Sequence, residues 1–198
     1  MGSEAMKNRE RQPIIVADTG PLIRLAAAGL LETLRLLNRR VVLVDRIEEE
    51  AIADLSKPFA TEIQTWIEQM GDAILHVPTV EGQGIKALRT NADTPALRKL
   101  LKNAMRNSGE RAIREFVEIH APKNAEEALV VYEDIDLHDQ LAATMVPLTA
   151  VTTRRFAQIL NEWGINVDAE EMLSNIPPRL HLKPAQTNIF TPFRSNGK

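Results

Sequence analysis

The chain of 198 residues contains no cysteine, few aromatic residues and no long hydrophobic run. Without cysteine, neither a disulfide framework nor a thiolate zinc site can form, which favours a reducing cytoplasm. The apolar stretches fall short of the roughly 20 residues that span a bilayer, so no membrane segment is expected. Aromatic residues make up 4% of the chain, which leaves few stacking platforms for single-stranded nucleic acid. The net charge of −3 gives no overall attraction for nucleic acid, so such binding requires local basic patches.

Several site motifs are also missing. The sequence has no Gly-x-Ser-x-Gly elbow and no glycine-rich phosphate loop, which argues against hydrolase triads and nucleoside triphosphate chemistry. The histidines lack the spacing of metal ligands, so a histidine metal site is not expected: His76, His120, His138 and His181.

What is present predicts one α/β domain. Hydrophobic residues make up 44% and charged residues 26% of the chain, as in ordinary globular proteins. Short apolar runs predict strands at 13–17, 41–44, 73–77, 128–132 and 147–151. Helical patterns lie between them, at 22–37 with a break at Gly29, and at 45–54, 58–70, 110–120, 136–145 (helix or irregular turn) and 154–163. This alternation predicts a three-layer α/β/α sandwich around a central, mostly parallel sheet.

Acidic residues follow two of the predicted strands. In open parallel sheets the functional crevice lies beyond the carboxyl ends of the strands, near a switch in strand order. Carboxylates gathered there repel one another unless a cation compensates them, and oxygen ligands select Mg²⁺ or Mn²⁺. Such ions can activate water for phosphodiester cleavage. The predicted cluster contains Asp18, Glu50, Glu110 and one or more of Glu133, Asp134 and Asp136.

Each acid also has a purely structural interpretation. Asp18 could be the N-cap of the helix that follows it. The run 48–50 could be a solvated helix face, and Glu110 could simply complement a helix dipole. The run 133–136 could be an acidic turn. The combination of acids, rather than any single residue, therefore favours a metal site.

Five segments together resemble PIN-domain nucleases. They are Ile14-Ile-Val-Ala-Asp-Thr-Gly-Pro-Leu-Ile23, Val42-Leu-Val-Asp-Arg-Ile-Glu-Glu-Glu50, Ser108-Gly-Glu-Arg-Ala-Ile113, Leu129-Val-Val-Tyr-Glu-Asp-Ile-Asp136 and Leu148-Thr-Ala-Val-Thr-Thr-Arg-Arg-Phe156. The resemblance covers a domain at 13–164 but leaves out an inserted loop and helix at 82–107 and a C-terminal extension at 165–198. The insert departs from the family pattern, as does Tyr132-Glu133, where a small hydroxyl residue is common.

The resemblance implies a Mg²⁺- or Mn²⁺-dependent ribonuclease acting on single-stranded RNA, and many bacterial members are toxins paired with an antitoxin protein. Its catalytic acids correspond to Asp18, Glu50, Glu110 and Asp134, and its metal ligands to Asp18, Glu110, Asp134 and, as a further candidate, Asp136. It also suggests that Thr19 or Thr153 assists through a hydroxyl at the substrate.

The insert and the helix after it carry an excess of positive charge, which suits contacts with phosphates. The cations are Lys86, Arg89, Arg98, Lys99, Lys102, Arg106, Arg111 and Arg114, and Arg154 and Arg155 add to them. We take Lys102, Arg111 and Arg154 as substrate-binding candidates. The alternative is that these side chains are only the wet face of an amphipathic helix.

Two rival functions follow from the same residues. A PIN-like module could have lost catalysis and bind nucleic acid or a protein, with the tail beyond Asn175 extended or partly disordered and wrapping a partner or a second copy. A phosphotransferase could use Asp18 as its nucleophile, but such enzymes usually need a second aspartate where Gly20 stands. We therefore rank the nuclease first.

Overall fold

A computed structural model describes residues 14–37, 39–120, 128–144 and 148–177. Its strands are β1 (Ile14–Ala17), β2 (Arg40–Val44), β3 (Ile74–Val77), β4 (Ala128–Tyr132) and β5 (Leu148–Thr152). Its helices are α1 (Thr19–Ala27), α2 (Thr33–Leu36), α3 (Asp45–Ile52), α4 (Ala60–Met70), α5 (Val80–Thr90), α6 (Pro95–Ala104), α7 (Ser108–Glu115), α8 (Ile135–Ala142), α9 (Thr153–Glu162) and α10 (Ala169–Ser174). A π-helical stretch, Phe116–His120, continues α7.

The five strands form one sheet in the order β3-β2-β1-β4-β5, and all neighbouring strands are parallel. The chain builds outward from β1 through β2 to β3, and then crosses to the other side of β1 to form β4 and β5. The switch in strand order therefore lies between β1 and β4. These two strands are in register through Ala17 and Val131, so their carboxyl ends meet at the same height.

Helices cover both faces of this sheet, which confirms the predicted three-layer α/β/α sandwich. The central strands are continuous apolar runs because both of their faces are buried. Ile15, Val16, Val42 and Leu43 are fully buried. Burial of one such side chain stabilises the fold by about 1.5–3 kcal/mol. This rigid layer fixes the position of the loops that leave β1 and β4.

The insert differs from the prediction. A loop and one helix were expected at 82–107, because Gly82 and Gly84 looked like helix breakers, but α5 and α6 form two successive helices there. Gly82 lies in the first turn of α5. Only glycine fits there, because a Cβ at this position would come within 2.0 Å of Asp45 Oδ2. The hydroxyl of Thr79 accepts a hydrogen bond from the Gly82 N–H (3.0 Å) and caps the helix. Gly82 therefore serves close packing rather than helix termination.

The packed domain extends past residue 164. Ala169, Leu173 and Ile176 belong to the hydrophobic core, and α10 packs against α9 and α1. The first part of the predicted extension is therefore built into the domain. The extended tail predicted beyond Asn175 lies outside the described residues from position 178 onward. No helix in the described ranges combines the length and apolar character needed to cross a bilayer.

Candidate acidic site at the carboxyl ends of β1 and β4

Asp18 leaves β1 at the switch in strand order and is nearly buried, at 8% exposed. Its backbone N–H donates to the carbonyl of Val131 (3.0 Å), which continues the β1–β4 pairing by one residue. Asp18 occupies the N-cap position of α1, but its carboxylate makes no capping hydrogen bond. Asp18 is therefore the N-cap residue of α1 by position but does not cap the helix through its side chain, so capping does not account for its buried carboxylate.

Three other acids act on the Asp18 carboxylate. Burial is the main cause that raises its pKa, from 3.8 to about 7. A hydrogen bond from the Thr19 backbone opposes this rise, whereas the charges of Glu110, Glu50 and Asp134 add to it. The four carboxylates predicted to meet are thus electrostatic neighbours at the carboxyl ends of the strands.

Glu110 lies in the first turn of α7 and is itself half-buried. Burial raises the pKa of its carboxyl group, and the charges of Glu50 and Asp134 raise it further. A hydrogen bond from its own backbone N–H and the positive charge of Arg111 oppose these effects. The helix dipole alone therefore does not account for Glu110, because the residue also shares the field of the other acids.

Glu50 is held from three sides. Its Oε2 accepts a hydrogen bond from the Thr19 hydroxyl (3.3 Å). Its Oε1 accepts from Arg46 Nη2 and from the Ser108 hydroxyl, both at 3.3 Å. The start of α7 approaches so closely that a Cβ on Gly109 would lie 3.0 Å from Oε2. The Ser-Gly-Glu sequence therefore lets α7 begin directly beside Glu50.

The structure separates the three acids that follow β4. Glu133 is buried and forms an ion pair with Arg24 (2.6 Å), which ties the end of β4 to α1. Asp134 is exposed, and its carboxylate caps α8 by accepting from the Asp136 N–H (2.8 Å). Asp136 is exposed and accepts a hydrogen bond from Asn107 Nδ2 (3.0 Å). Of the three, Asp134 acts on both Asp18 and Glu110, whereas the Glu133 carboxylate is taken by Arg24.

The predicted substrate-binding residues occupy different environments. Thr19 lies beside Glu50, whereas Thr153 is fully buried and its hydroxyl has no hydrogen-bond partner among the described residues. Arg154 and Lys102 are exposed. Arg111 is occupied by Glu81 (2.5 Å) and by backbone carbonyls at the end of α6. Thr153 therefore cannot touch a substrate in this conformation, and Arg111 stabilises the start of α7.

Two buried arginines near these acids were not predicted. Arg46 is 1% exposed and contacts Glu49, Glu50 and Ser108, and Arg24 holds Glu133. The spacing of Arg46 to Glu50 by four residues could have indicated a helical ion pair. No local pattern indicates that its guanidinium is buried.

The four acidic side chains do not form a ready-made metal-binding site. Among the described residues, no three or more His, Cys, Asp or Glu side chains stand close enough together to hold a metal ion as placed. In this arrangement the Glu50 and Asp134 carboxylates both accept hydrogen bonds from protein donors.

Comparisons with known proteins add no relative. No protein-family model, curated protein or solved structure matches this chain. The PIN-domain resemblance thus stays a prediction based on the five motifs.

A groove lies elsewhere on the surface, between the α1–α2 connection and α4. Its volume is about 590 Å³, and its lining includes Gly29, Leu31, Glu62 and Trp66. None of the four neighbouring acids lines it. The carboxyl ends of β1 and β4 remain the stronger candidate for chemistry, because the buried Asp18 carboxylate lies there in the field of three other acids.

Proposed function

We propose that this protein is a divalent-metal-dependent ribonuclease that hydrolyses phosphodiester bonds in single-stranded RNA. One observation carries the proposal: Asp18 lies at the switch in strand order, and its burial, together with the charges of three neighbouring acids, raises its pKa to about 7. Such an arrangement disfavours ionised carboxylates in the isolated protein and favours them when a cation is bound.

The donor set fits Mg²⁺ or Mn²⁺ by its chemistry. All four groups offer carboxylate oxygens, the ligands that these hard cations prefer. Asp18, Glu110 and Asp134 would hold the ion together with Glu50, and Asp136 lies at the exposed rim. Bound there, the cation would activate water and stabilise the charge of the phosphodiester during cleavage. Because the acids do not surround one point as placed, this proposal requires the Glu50 and Asp134 side chains to rotate.

The residues around the acids have defined tasks in this proposal. The Thr19 hydroxyl orients Glu50. Gly109 has no side chain, so the start of α7, which includes Glu110, can pack close to Glu50. The Arg24–Glu133 pair fixes the end of β4 just before Asp134. The sheet thus supplies a rigid frame, and Glu50 and Asp134 supply the carboxylates that move.

Part of the basic insert is available for the RNA backbone. Four of its cations are occupied by other groups of the protein: Arg89, Arg98, Arg111 and Arg114. In contrast, Lys99, Lys102 and Arg106 are exposed and have no ion-pair partner among the described residues. We call these three residues the cation row: Lys99 and Lys102 lie one turn apart on α6, and Arg106 follows just after its end. The row leads along α6 toward the start of α7, where Glu110 lies, so it supports phosphate contacts beside the acids.

The PIN resemblance supports the remaining parts of the proposal. It suggests a bacterial toxin with a protein antitoxin as its partner, while the homodimer rests on the predicted tail beyond Asn175, which could wrap a second copy. The absence of cysteine supports a cytoplasmic location. None of these features follows from the geometry of the acids.

The test is cleavage of a labelled single-stranded RNA by the purified protein with Mn²⁺, and with EDTA as the metal-free comparison. Asp18→Asn and Asp134→Asn should each lower the metal-dependent rate by at least about 100-fold, since each removes an acid of the proposed centre. Asp72→Asn is the matched control, because Asp72 is exposed at the opposite edge of the sheet, before β3. Equal cleavage by all four proteins would contradict the proposal.

A second candidate is a PIN-like module that binds nucleic acid or a protein without cutting. The absence of three gathered metal-binding side chains among the described residues favours it. In the same experiment, RNA binding without cleavage at any Mn²⁺ concentration would support this alternative.

A further inference from the structure

The most deeply buried charge near the acids belongs to Arg46. The residue is 1% exposed, and each guanidinium nitrogen has a polar partner. Its Nε donates to the Ser108 hydroxyl (3.0 Å), its Nη1 contacts Glu49, and its Nη2 donates to Glu50 Oε1 (3.3 Å). Arg46 therefore joins α3 to the first residue of α7, and it does so next to one of the four acids.

Arg46 contacts Glu49 and Glu50, and these two glutamates differ in their other partners. Glu49 also forms an ion pair with Arg89 of α5. Within the described part of the chain, Glu50 has only hydroxyl partners besides Arg46, those of Thr19 and Ser108. Arg46 is thus the only cationic side chain that contacts the Glu50 carboxylate among the described residues, whereas Glu49 would keep a cation without it.

We propose that Arg46 is the internal counter-cation of the acid cluster: a positioning residue that fixes Glu50 against α7 and limits how strongly the cluster attracts a divalent cation. Its positive charge offsets part of the repulsion among the carboxylates when no metal is bound. The same charge repels an incoming cation, and the Glu50 Oε1 that Arg46 holds must be released or shared before it can serve as a ligand. The second half of this inference rests on the proposed metal-dependent function.

The first test is thermal unfolding in EDTA, which is independent of any metal. Arg46→Met keeps a similar side-chain volume but leaves the part-buried Glu50 carboxylate without a cation, so we expect the Tm to fall by about 5 °C. Arg46→Met combined with Glu50→Gln should recover at least half of that loss, because the uncompensated charge is removed. Arg46→Met combined with Glu49→Gln is the matched control and should recover little, since Glu49 retains Arg89. Equal recovery by both double variants, or by neither, would overturn the proposal.

The second test is a titration with Mn²⁺ followed by the same unfolding signal. The Mn²⁺ concentration that produces half of the stabilisation should fall about tenfold in Arg46→Met, because one positive charge beside the site is gone. Arg46→Lys retains the charge and should keep the wild-type concentration even if its Tm is lower. A purely structural Arg46 would lower the Tm of Arg46→Met without moving the Mn²⁺ midpoint, and that result would refute the counter-cation role.

The two proposals fail in different ways. If Mn²⁺ stabilises neither the wild-type protein nor Arg46→Met, the metal-dependent function is wrong, and Arg46 is judged by the recovery experiment in EDTA. If Mn²⁺ stabilises the wild-type protein and Glu50→Gln gives no recovery, the metal centre stands and the role of Arg46 is wrong.

Discussion

The burial of Asp18 makes the stability of this protein depend on pH in a way that one substitution should abolish. In the unfolded chain Asp18 releases its proton near its usual pKa of 3.8, whereas in the folded protein it keeps the proton up to a pKa of about 7. Between these values the folded state binds more protons than the unfolded state. The contribution of Asp18 to stability is therefore fully present below about pH 4 and is lost as the pH rises through 7.

The size of this effect follows from the two pKa values. The rise from 3.8 to about 7 spans about three pH units, at roughly 1.4 kcal/mol each. Wild-type protein should thus lose about 4 kcal/mol relative to Asp18→Asn between pH 4 and pH 8. No discount for solvent screening is needed, because Asp18 is 8% exposed.

The assay is urea unfolding in EDTA at several pH values, monitored by the fluorescence of Trp66 and Trp163. The free energy of unfolding of Asp18→Asn minus that of the wild-type protein should increase steadily from pH 4 to pH 8. Asp72→Asn, with its exposed carboxyl group, should follow the wild-type profile. Parallel profiles for wild type and Asp18→Asn would show that Asp18 is ionised in the folded protein at low pH, and the argument for a cation at this site would lose its basis.

Three further predictions concern the frame around the acids. Gly109→Ala should cost about 1–2 kcal/mol and weaken the Mn²⁺-induced thermal shift, because its Cβ would lie 2.8 Å from Ile47 Cδ1 and 3.0 Å from Glu50 Oε2. Gly84→Ala, where a Cβ meets nothing within 4 Å, is its control and should leave that shift intact. Arg24→Met should lower the free energy of unfolding by about 3–5 kcal/mol in urea titrations, because it leaves the buried Glu133 carboxylate without its cationic partner. A loss under about 1 kcal/mol would contradict this. Replacing the three residues of the cation row with glutamate should weaken the binding of labelled RNA and reduce the salt dependence of that binding. The thermal stabilisation by Mn²⁺ should not change. Unaltered RNA affinity would assign RNA binding to another surface.

The architecture followed from sequence patterns because strand and helix signals alternate regularly. The apolar runs at β1, β2 and β4 are long enough to mark buried parallel strands, and Asp18 follows the first of them directly. The insert was less predictable, because Gly82 has the local signature of a break. Its presence inside α5 depends on the carboxylate of Asp45, which is distant in sequence. Local propensity cannot show such a close approach.

The acid cluster was predictable in outline but not in detail. The order of the strands brings Asp18 and Asp134 to one edge, and this much follows from topology. The choice of Asp134 over Glu133 depends on the Arg24 ion pair, which forms between residues 109 positions apart. The burial of Arg46 likewise depends on how α7 meets α3. Charge partners across the fold are set by packing, so no local pattern reveals them.

The most direct test of the central claim is a crystal structure of the protein with Mn²⁺, with the ion located by its anomalous scattering. We predict an anomalous peak within coordination distance of Asp18, Glu110 and Asp134, with the Glu50 carboxylate turned toward it. The peak should be absent from crystals of Asp18→Asn prepared in the same way. A wild-type crystal with no peak between β1 and β4, or with Mn²⁺ bound only elsewhere, would contradict the proposed metal centre.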